Sequence, residues 1–197
     1  VCVTSGGQLL EAARSDDVPV VVVPGGFPPR CALAYLFTPI LVILGRLGYI
    51  EDRREALKEA AQLIEDLTRV IHLEVPASVN QAKRLALAIY GKVPLIYGST
   101  GITSVAALRW KTQINENSKA HAFWNVFPEL NHNEIVGWSA QPDISRALHV
   151  VLLRDKEDHL KVQRRIEITK EFMTEASGVS EVFSHGKTKE ARLLSLI

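Results

Sequence analysis

The sequence is poor in cysteine and methionine and has almost no net charge. Its 197 residues include two cysteines, Cys2 and Cys31, and one methionine, and the formal net charge at pH 7 is +1. Two cysteines without Cys-x-x-Cys spacing argue against a disulfide framework and a zinc ribbon, so we expect both to be reduced core residues. A near-neutral chain also lacks the positive field of a nucleic-acid-binding protein, and we expect no nucleic-acid partner.

Long hydrophobic runs and a signal peptide are also missing. The longest apolar run, Cys31 to Leu44, is interrupted by Thr38 and Pro39 and is shorter than the roughly 20 residues that a membrane-spanning helix needs. Together with reduced cysteines, this predicts a cytoplasmic protein that has no membrane partner. Position 1 is not Met and both ends are apolar, so we expect the natural protein to extend beyond both ends.

Apolar strands alternate with helical patterns along the chain. Strands are predicted at residues 1–4, 18–23, 93–97, 149–153 and 181–183. Helices are predicted at residues 52–72, 79–90 (with Ser78 as N-cap), 104–116 and 158–176. This alternation is typical of an α/β protein with doubly wound parallel sheets and flanking helices. Two such units are predicted, covering residues 1–75 and 76–197.

Polar residues that no helix or strand requires are concentrated between Arg109 and Trp138. Among them are Asn115, Glu116, Asn117, His121, Glu129, Asn131, His132, Asn133 and Glu134. Asn and His lower helix propensity, so their number favours a site that orients hydroxyl groups and transfers protons. Glu116 alone is equally compatible with a solvated carboxylate at a helix end. A metal site formed by Glu116, His121, His132 and Glu134 is a less favoured alternative. We expect no metal, because no His-x-x-x-His or His-Glu-x-x-His spacing places two ligands on one helix face.

Glycine-rich loops follow three of the predicted strands. The segments 4–7 and 98–101 combine hydroxyl groups with glycine, which suits the binding of a phosphate at a helix N-terminus. The segment 24–26 leads to Arg30, which is either a surface arginine after a turn or a clamp for an anion or oxyanion. Neither a GxGxxG nor a GxxxxGK[ST] motif is present, so a dinucleotide site or a P-loop is not supported.

In their order along the chain, these motifs resemble those of the bifunctional phosphoglucose/phosphomannose isomerases, which are built from two sugar isomerase (SIS) domains. The matching segments are Thr4-Ser5-Gly6-Gly7, Pro24-Gly25-Gly26, Pro29-Arg30, Arg109-Trp110-Lys111-Thr112-Gln113, Asn115-Glu116-Asn117-Ser118-Lys119, Pro128-Glu129, Asn131-His132-Asn133-Glu134 and Gly137-Trp138. The resemblance implies flavodoxin-like SIS folds. Residues 1–75 would form the C-terminal part of a first SIS domain, and residues 76–197 a second one without its C-terminal helix.

The resemblance also implies a reaction and the residues that perform it. The reaction is the interconversion of glucose 6-phosphate, and also mannose 6-phosphate, with fructose 6-phosphate through an enediol(ate), without a cofactor. Glu116 would be the base that moves a proton between C2 and C1, and Arg30 would stabilise the enediolate. His132 would assist ring opening and reach the neighbouring site of a homodimer. Substrate binding would involve Thr4, Ser5, Gly6, Gly7, Asn115 and Asn131.

Two parts of the family's site have no counterpart here. In the family, the main phosphate-binding loop precedes the segment that matches Val1, and the catalytic lysine follows the segment that matches Ile197. Lys187 and Lys189 come too early in the chain to take the role of that lysine. We therefore expect this chain to hold a base, a histidine and an arginine rather than a complete site.

Two other functions remain open. A non-catalytic SIS module would bind phosphosugars to regulate a partner, and it would not need the carboxylate of Glu116. A purely structural α/β domain with a polar surface would not bind sugar phosphates at all. Replacement of Glu116 by glutamine separates an enzyme from a binding module, because only the enzyme loses proton exchange.

Overall fold

Parallel strands connected by helices form two units in this protein. The computed structural model describes all residues from Val1 to Ile197. The first unit comprises Val1–Lys58 and the second Glu59–Ile197. Every strand pair in both units is parallel, which confirms the predicted α/β class. None of the helices combines the length and the apolar character needed to cross a membrane.

The first unit is small and is built on two short strands. Its elements are β1 (Cys2–Thr4), α1 (Gly7–Ser15), β2 (Val20–Val22), α2 (Leu33–Arg46) and the first turn of α3 (Arg54–Ile71). Cys2 pairs with Val20 and Thr4 with Val22. Both cysteines are free, as predicted, but Cys31 is exposed and Cys2 only partly buried. The expectation of core cysteines is therefore wrong for Cys31, which ends a short 3-10 turn on the surface.

The second unit holds four strands in the spatial order β4-β3-β5-β6. Its elements after α3 are α4 (Gln81–Ile89), β3 (Val93–Ser99), α5 (Ile102–Gln113), β4 (Phe123–Phe127), α6 (Leu130–Asn133), α7 (Gly137–Ala140), α8 (Pro142–Ser145), β5 (Leu148–Arg154), α9 (Leu160–Lys170), β6 (Gly178–Phe183) and α10 (Lys189–Leu194). Strand β4 lies on one side of β3 and strand β5 on the other, so the order in which the chain adds strands reverses direction after β4. In open α/β sheets, ligands bind outside the carboxyl ends of the strands at such a reversal.

Alternate residues of the central strands face two separate cores. Ile96 and Val151 pack with Ala106 of α5 in one cluster, whereas Tyr97 and Val150 belong to the other. All five are buried. A strand with both faces covered is hydrophobic at every position, which explains the continuous apolar runs of β3 and β5. The predicted placement of helices on both faces of the sheet is confirmed.

Several element ends differ from the predictions because side-chain contacts determine them. The N-cap of α4 is Asn80 rather than Ser78: the buried Asn80 side chain accepts a hydrogen bond from the Lys83 amide (3.0 Å) and donates one to the His72 carbonyl (3.1 Å). The helix predicted at 158–176 is shorter, since the chain turns after Lys170 to bury Met173 before β6.

Strand β4 is an edge strand that the sequence patterns did not predict. Its first residues, Phe123 and Trp124, are exposed, and Asn125 interrupts the apolar pattern. Because one side of an edge strand is open to solvent, its sequence lacks the continuous apolar run of a central strand.

A buried histidine lies at the start of β5. The Nε2 atom of His149 is 2.9 Å from the Ser180 hydroxyl oxygen, and its Nδ1 atom is buried without a partner. Burial, with a smaller effect of the Lys92 charge, lowers the pKa of this imidazole. The ring lies directly over Gly178, where a Cβ atom would be 2.7 Å from the His149 Cε1 atom. The packing therefore requires a glycine opposite His149.

Candidate functional site

Glu116 lies on a π-helical turn at the end of α5. The turn covers Ile114–Ser118 and ends at Lys119, which has a left-handed backbone (φ 55°). The Asn115 side chain donates a hydrogen bond to the Ala120 carbonyl (2.7 Å) and so closes the turn. Glu116 itself is exposed, and its carboxylate forms no hydrogen bond or ion pair. Single π-turns within α-helices are frequent at functional sites, and this one leaves a carboxylate available for an external ligand.

His132 is presented by α6, the short helix that follows β4. A cis peptide bond between Phe127 and Pro128 leads into this helix. The imidazole of His132 is exposed and has no partner. The side chain of the neighbouring Asn131 is directed towards α9, where its Nδ2 atom donates a hydrogen bond to the Thr169 hydroxyl oxygen (2.7 Å). The structure thus leaves His132 available, while the Asn131 amide nitrogen connects two helices.

Glu134, which the sequence did not assign to catalysis or substrate binding, holds the chain in place after α6. The Tyr97 hydroxyl of β3 donates to one Glu134 carboxylate oxygen (2.7 Å), and the Asn125 amide of β4 donates to the other. Tyr97 is buried, and this burial, together with the hydrogen bond to Glu134, raises its pKa. This network anchors the segment that carries His132 to two strands. Tyr97, Glu134 and the buried Trp138 also line a cavity of about 340 Å³.

The polar groups of the loop at the carboxyl end of β3 form hydrogen bonds with other parts of the protein. The Ser99 amide donates to the Thr103 hydroxyl oxygen (2.7 Å), and the Ser99 hydroxyl donates to the Asp158 carboxylate (2.9 Å). The amide and hydroxyl of Thr100 both donate to the Phe127 carbonyl (3.1 and 3.2 Å). Burial raises the pKa of Asp158 against the opposing effect of the Ser99 hydrogen bond. The donors of Ser99 and Thr100 therefore already form hydrogen bonds within the protein, and the Asp158 carboxylate lies beside Ser99.

In the first unit, two glycine loops meet at the carboxyl ends of β1 and β2. Gly6 and Gly7 have positive φ angles (139° and 69°), and Gly6 is the N-cap of α1. A Cβ atom on Gly25 would lie 3.6 Å from the Ser5 Cβ atom. The predicted placement of residues 4–7 at a helix N-terminus therefore holds. Their assignment to substrate binding stays a prediction.

Arg30 follows these loops in the 3-10 turn Pro29–Cys31 and is half-buried. It belongs to the first unit, whereas Glu116 and His132 belong to the second. The residues assigned to catalysis thus come from both units, and their roles stay predictions. No group of three or more His, Cys, Asp or Glu side chains in the chain is placed to hold a metal ion.

Four parallel strands covered by helices, with an available carboxylate after α5 and an available imidazole after β4, agree with the fold of a sugar isomerase (SIS) domain. The chain belongs to the family described as the bacterial phospho-glucose isomerase C-terminal SIS domain, whose family model matches residues 78–197. This match confirms the SIS fold inferred from the sequence motifs.

Curated relatives match all or most of the chain. It is 43% identical over 198 residues to the bifunctional phosphoglucose/phosphomannose isomerase of Caldicellulosiruptor bescii, covering 100% of this chain and 58% of that protein. The enzyme of the same name from Aquifex aeolicus is 36% identical over 200 residues, covering 100% and 57%. A D-glucosamine-6-phosphate 4-epimerase of Sulfolobus acidocaldarius is 33% identical over 158 residues, covering 80% and 47%. The chain therefore spans less than three fifths of the length of these relatives.

Solved structures support the same fold. A glucose-6-phosphate isomerase-like protein from Thermus thermophilus superimposes with a TM-score of 0.70 at 21% identity, covering 99% of this chain and 68% of that one. The C-terminal domain of glucosamine-fructose-6-phosphate aminotransferase from Francisella tularensis gives a TM-score of 0.59 at 14% identity, covering 99% and 66%.

Proposed function

We propose that this chain contributes the base, the ring-opening histidine and the enediolate-stabilising arginine of an aldose–ketose isomerase. The enzyme would interconvert glucose 6-phosphate or mannose 6-phosphate with fructose 6-phosphate. The observation that carries the proposal is the unpaired carboxylate of Glu116, presented on a π-turn within a chain that matches named isomerases from end to end.

The proposed reaction moves one proton between neighbouring carbons of the open-chain sugar. His132 transfers protons so that the ring oxygen gains one as the C1–O5 bond breaks and the C1 hydroxyl loses one. Glu116 removes the proton from C2, and the electron pair of that bond becomes the enediolate, whose negative oxygen the Arg30 guanidinium stabilises. Glu116 then returns its proton to C1, while the O2 hydroxyl loses a proton and O1 gains one, which leaves a ketone at C2 and a hydroxyl group at C1.

Substrate binding and subunit assembly involve other residues of the chain. Thr4, Ser5, Gly6 and Gly7 bind the substrate with N–H groups at the start of α1, and Asn115 and Asn131 contact its hydroxyl groups. The protein acts as a cytoplasmic homodimer, in which the exposed His132 reaches the site of the partner subunit, within glycolysis and gluconeogenesis. The exposed free thiol of Cys31 is compatible with a reducing compartment.

The test is solvent-deuterium exchange into fructose 6-phosphate, with a coupled turnover assay, on the full coding sequence and on the 197-residue chain. We expect Glu116→Gln to lower exchange and turnover by about 10²–10⁴-fold. Glu171→Gln is the matched control, since Glu171 is also exposed and unpaired, and it should leave both rates unchanged.

The same experiment separates the alternatives. Unchanged exchange in the Glu116→Gln variant would show that Glu116 is not the base. Retained sugar-phosphate binding without any exchange in the unaltered full-length protein would favour the regulatory SIS module. Product analysis also distinguishes an isomerase from an epimerase, because only isomerisation yields the ketose.

A further inference from the structure

A basic cavity lies between α6 and α9, elements that follow the carboxyl ends of β4 and β5. Its volume is about 370 Å³, and its walls include Asn131, Lys161, Arg164, Arg165 and Thr169. Of the residues given a role in the proposed reaction, Asn131 lines this cavity, whereas Glu116 and His132 do not. The reaction proposed above therefore leaves three of the lining residues, all cations, without a role.

The three cations of this cavity have no acidic partners. Lys161, Arg164 and Arg165 occupy two successive turns of α9, and none of them forms an ion pair. Lys170, at the end of the same helix, by contrast pairs with Glu167 (3.1 Å) and Glu181 (2.9 Å). Like charges one helical turn apart repel each other, so an anion in the cavity would relieve an unfavourable interaction.

Asn131 adds a buried acceptor that has no donor. The Thr169 hydroxyl donates to the Arg165 carbonyl (2.7 Å), so it can only accept from Asn131, which must therefore present its Nδ2 atom there. The opposite atom, Asn131 Oδ1, is buried and unpaired. Buried acceptors are nearly always satisfied in folded proteins, so this one indicates a missing donor.

We propose that this cavity binds a small phosphomonoester that carries hydroxyl groups. Arg164, Arg165 and Lys161 hold the phosphate, for which the forked guanidinium group is well suited. A hydroxyl group of the same ligand donates to Asn131 Oδ1. Because α6 carries His132, a ligand at this site also restrains the segment that presents the histidine.

The test is calorimetric titration of the chain with glycerol 3-phosphate, inorganic phosphate and glycerol at constant ionic strength. We expect saturable binding of glycerol 3-phosphate, weaker binding of phosphate, and no binding of glycerol. The double substitution Arg164→Ala/Arg165→Ala should weaken glycerol 3-phosphate binding by about tenfold or more, the effect of losing a charge-assisted hydrogen bond. Asn131→Ala should reduce the preference for glycerol 3-phosphate over phosphate.

Two controls make the test specific to this cavity. Arg14→Ala/Lys189→Ala removes the same charge from other exposed positions and should not change the affinity, and neither should Glu116→Gln. Equal binding by the cavity variant and the charge-matched control would overturn the proposal, as would the absence of saturable binding. A changed molecular mass of the cavity variant in light scattering would also overturn it, because the cations would then contact a second copy of the chain.

Discussion

Replacement of Tyr97 by phenylalanine removes one oxygen atom from the network that anchors the segment after α6. The Tyr97 hydroxyl donates to the Glu134 carboxylate at 2.7 Å, and Tyr97 is only 2% exposed. Phenylalanine fills the same space and keeps the edge-to-face contact with Phe127 (ring centroids 6.2 Å apart). The substitution therefore isolates the hydrogen bond from the packing of the ring.

The expected loss of stability depends on the charge of Glu134 and on the exposure of Tyr97 and Glu134. A hydrogen bond to a charged group contributes about 1.5–3 kcal/mol. Glu134 is only partly buried and still accepts a hydrogen bond from Asn125, so water replaces part of the lost interaction. We therefore expect Tyr97→Phe to lower the free energy of unfolding by about 1–2 kcal/mol, and Tm by roughly 2–8 °C.

The distribution of tryptophan makes the assay specific to the second unit. All three tryptophans, Trp110, Trp124 and Trp138, lie in this unit, so tryptophan fluorescence, excited selectively over tyrosine, reports on this unit during urea unfolding. The control is Tyr90→Phe, because Tyr90 is 86% exposed and has no hydrogen-bond partner. A double-mutant cycle of Tyr97→Phe with Glu134→Gln should give a coupling energy of about 1 kcal/mol.

Two results would refute this reasoning. Tyr97→Phe could unfold at the same urea concentration as Tyr90→Phe, which would mean that the hydroxyl contributes nothing. Alternatively, the effects of Tyr97→Phe and Glu134→Gln could add without coupling. The loss of stability would then arise elsewhere, and Glu134 would not hold the segment in the way described.

Two further predictions concern packing and pH. Gly98→Ala should destabilise the second unit by about 2 kcal/mol or more, measured by urea unfolding, because the new Cβ atom would lie 2.3 Å from the Thr103 carbonyl oxygen. The lowered pKa of His149 means that the folded state binds fewer protons than the unfolded state, so stability should fall as pH drops below the ordinary value of 6.5. Urea midpoints measured between about pH 7.5 and 5.5 should show this slope, and His149→Gln should reduce it.

Each of these predictions has a matched control. Gly137→Ala should cost little, because no atom lies within 4 Å of the added Cβ position. Equal costs for the Gly98 and Gly137 variants would contradict the close contact between β3 and α5. His121→Gln is the control for the replacement of an imidazole, since His121 is exposed. A slope that persists in His149→Gln would assign the pH dependence to other groups.

The candidate site was predictable from sequence only in part. Glu116 and His132 could be selected because polar residues cluster in a segment whose order of motifs resembles that of one family, and the structure leaves both side chains available. The contact between Tyr97 and Glu134 joins positions 37 residues apart, and that between Asn131 and Thr169 joins positions 38 apart. No local pattern encodes such contacts, because they depend on how neighbouring elements pack.

By itself, the sequence determined the α/β class, the parallel central strands and the approximate positions of α3, α4, α5 and α9, because hydrophobic periodicity is a local property that burial imposes on each element. The edge strand β4, the Asn80 N-cap and the early end of α9 were decided only by tertiary contacts. The same holds for the division of polar side chains into those used within the protein, such as Ser99, and those left available, such as Glu116. Whether a polar group is satisfied depends on partners that are distant in sequence, and only the folded chain brings them within hydrogen-bond distance.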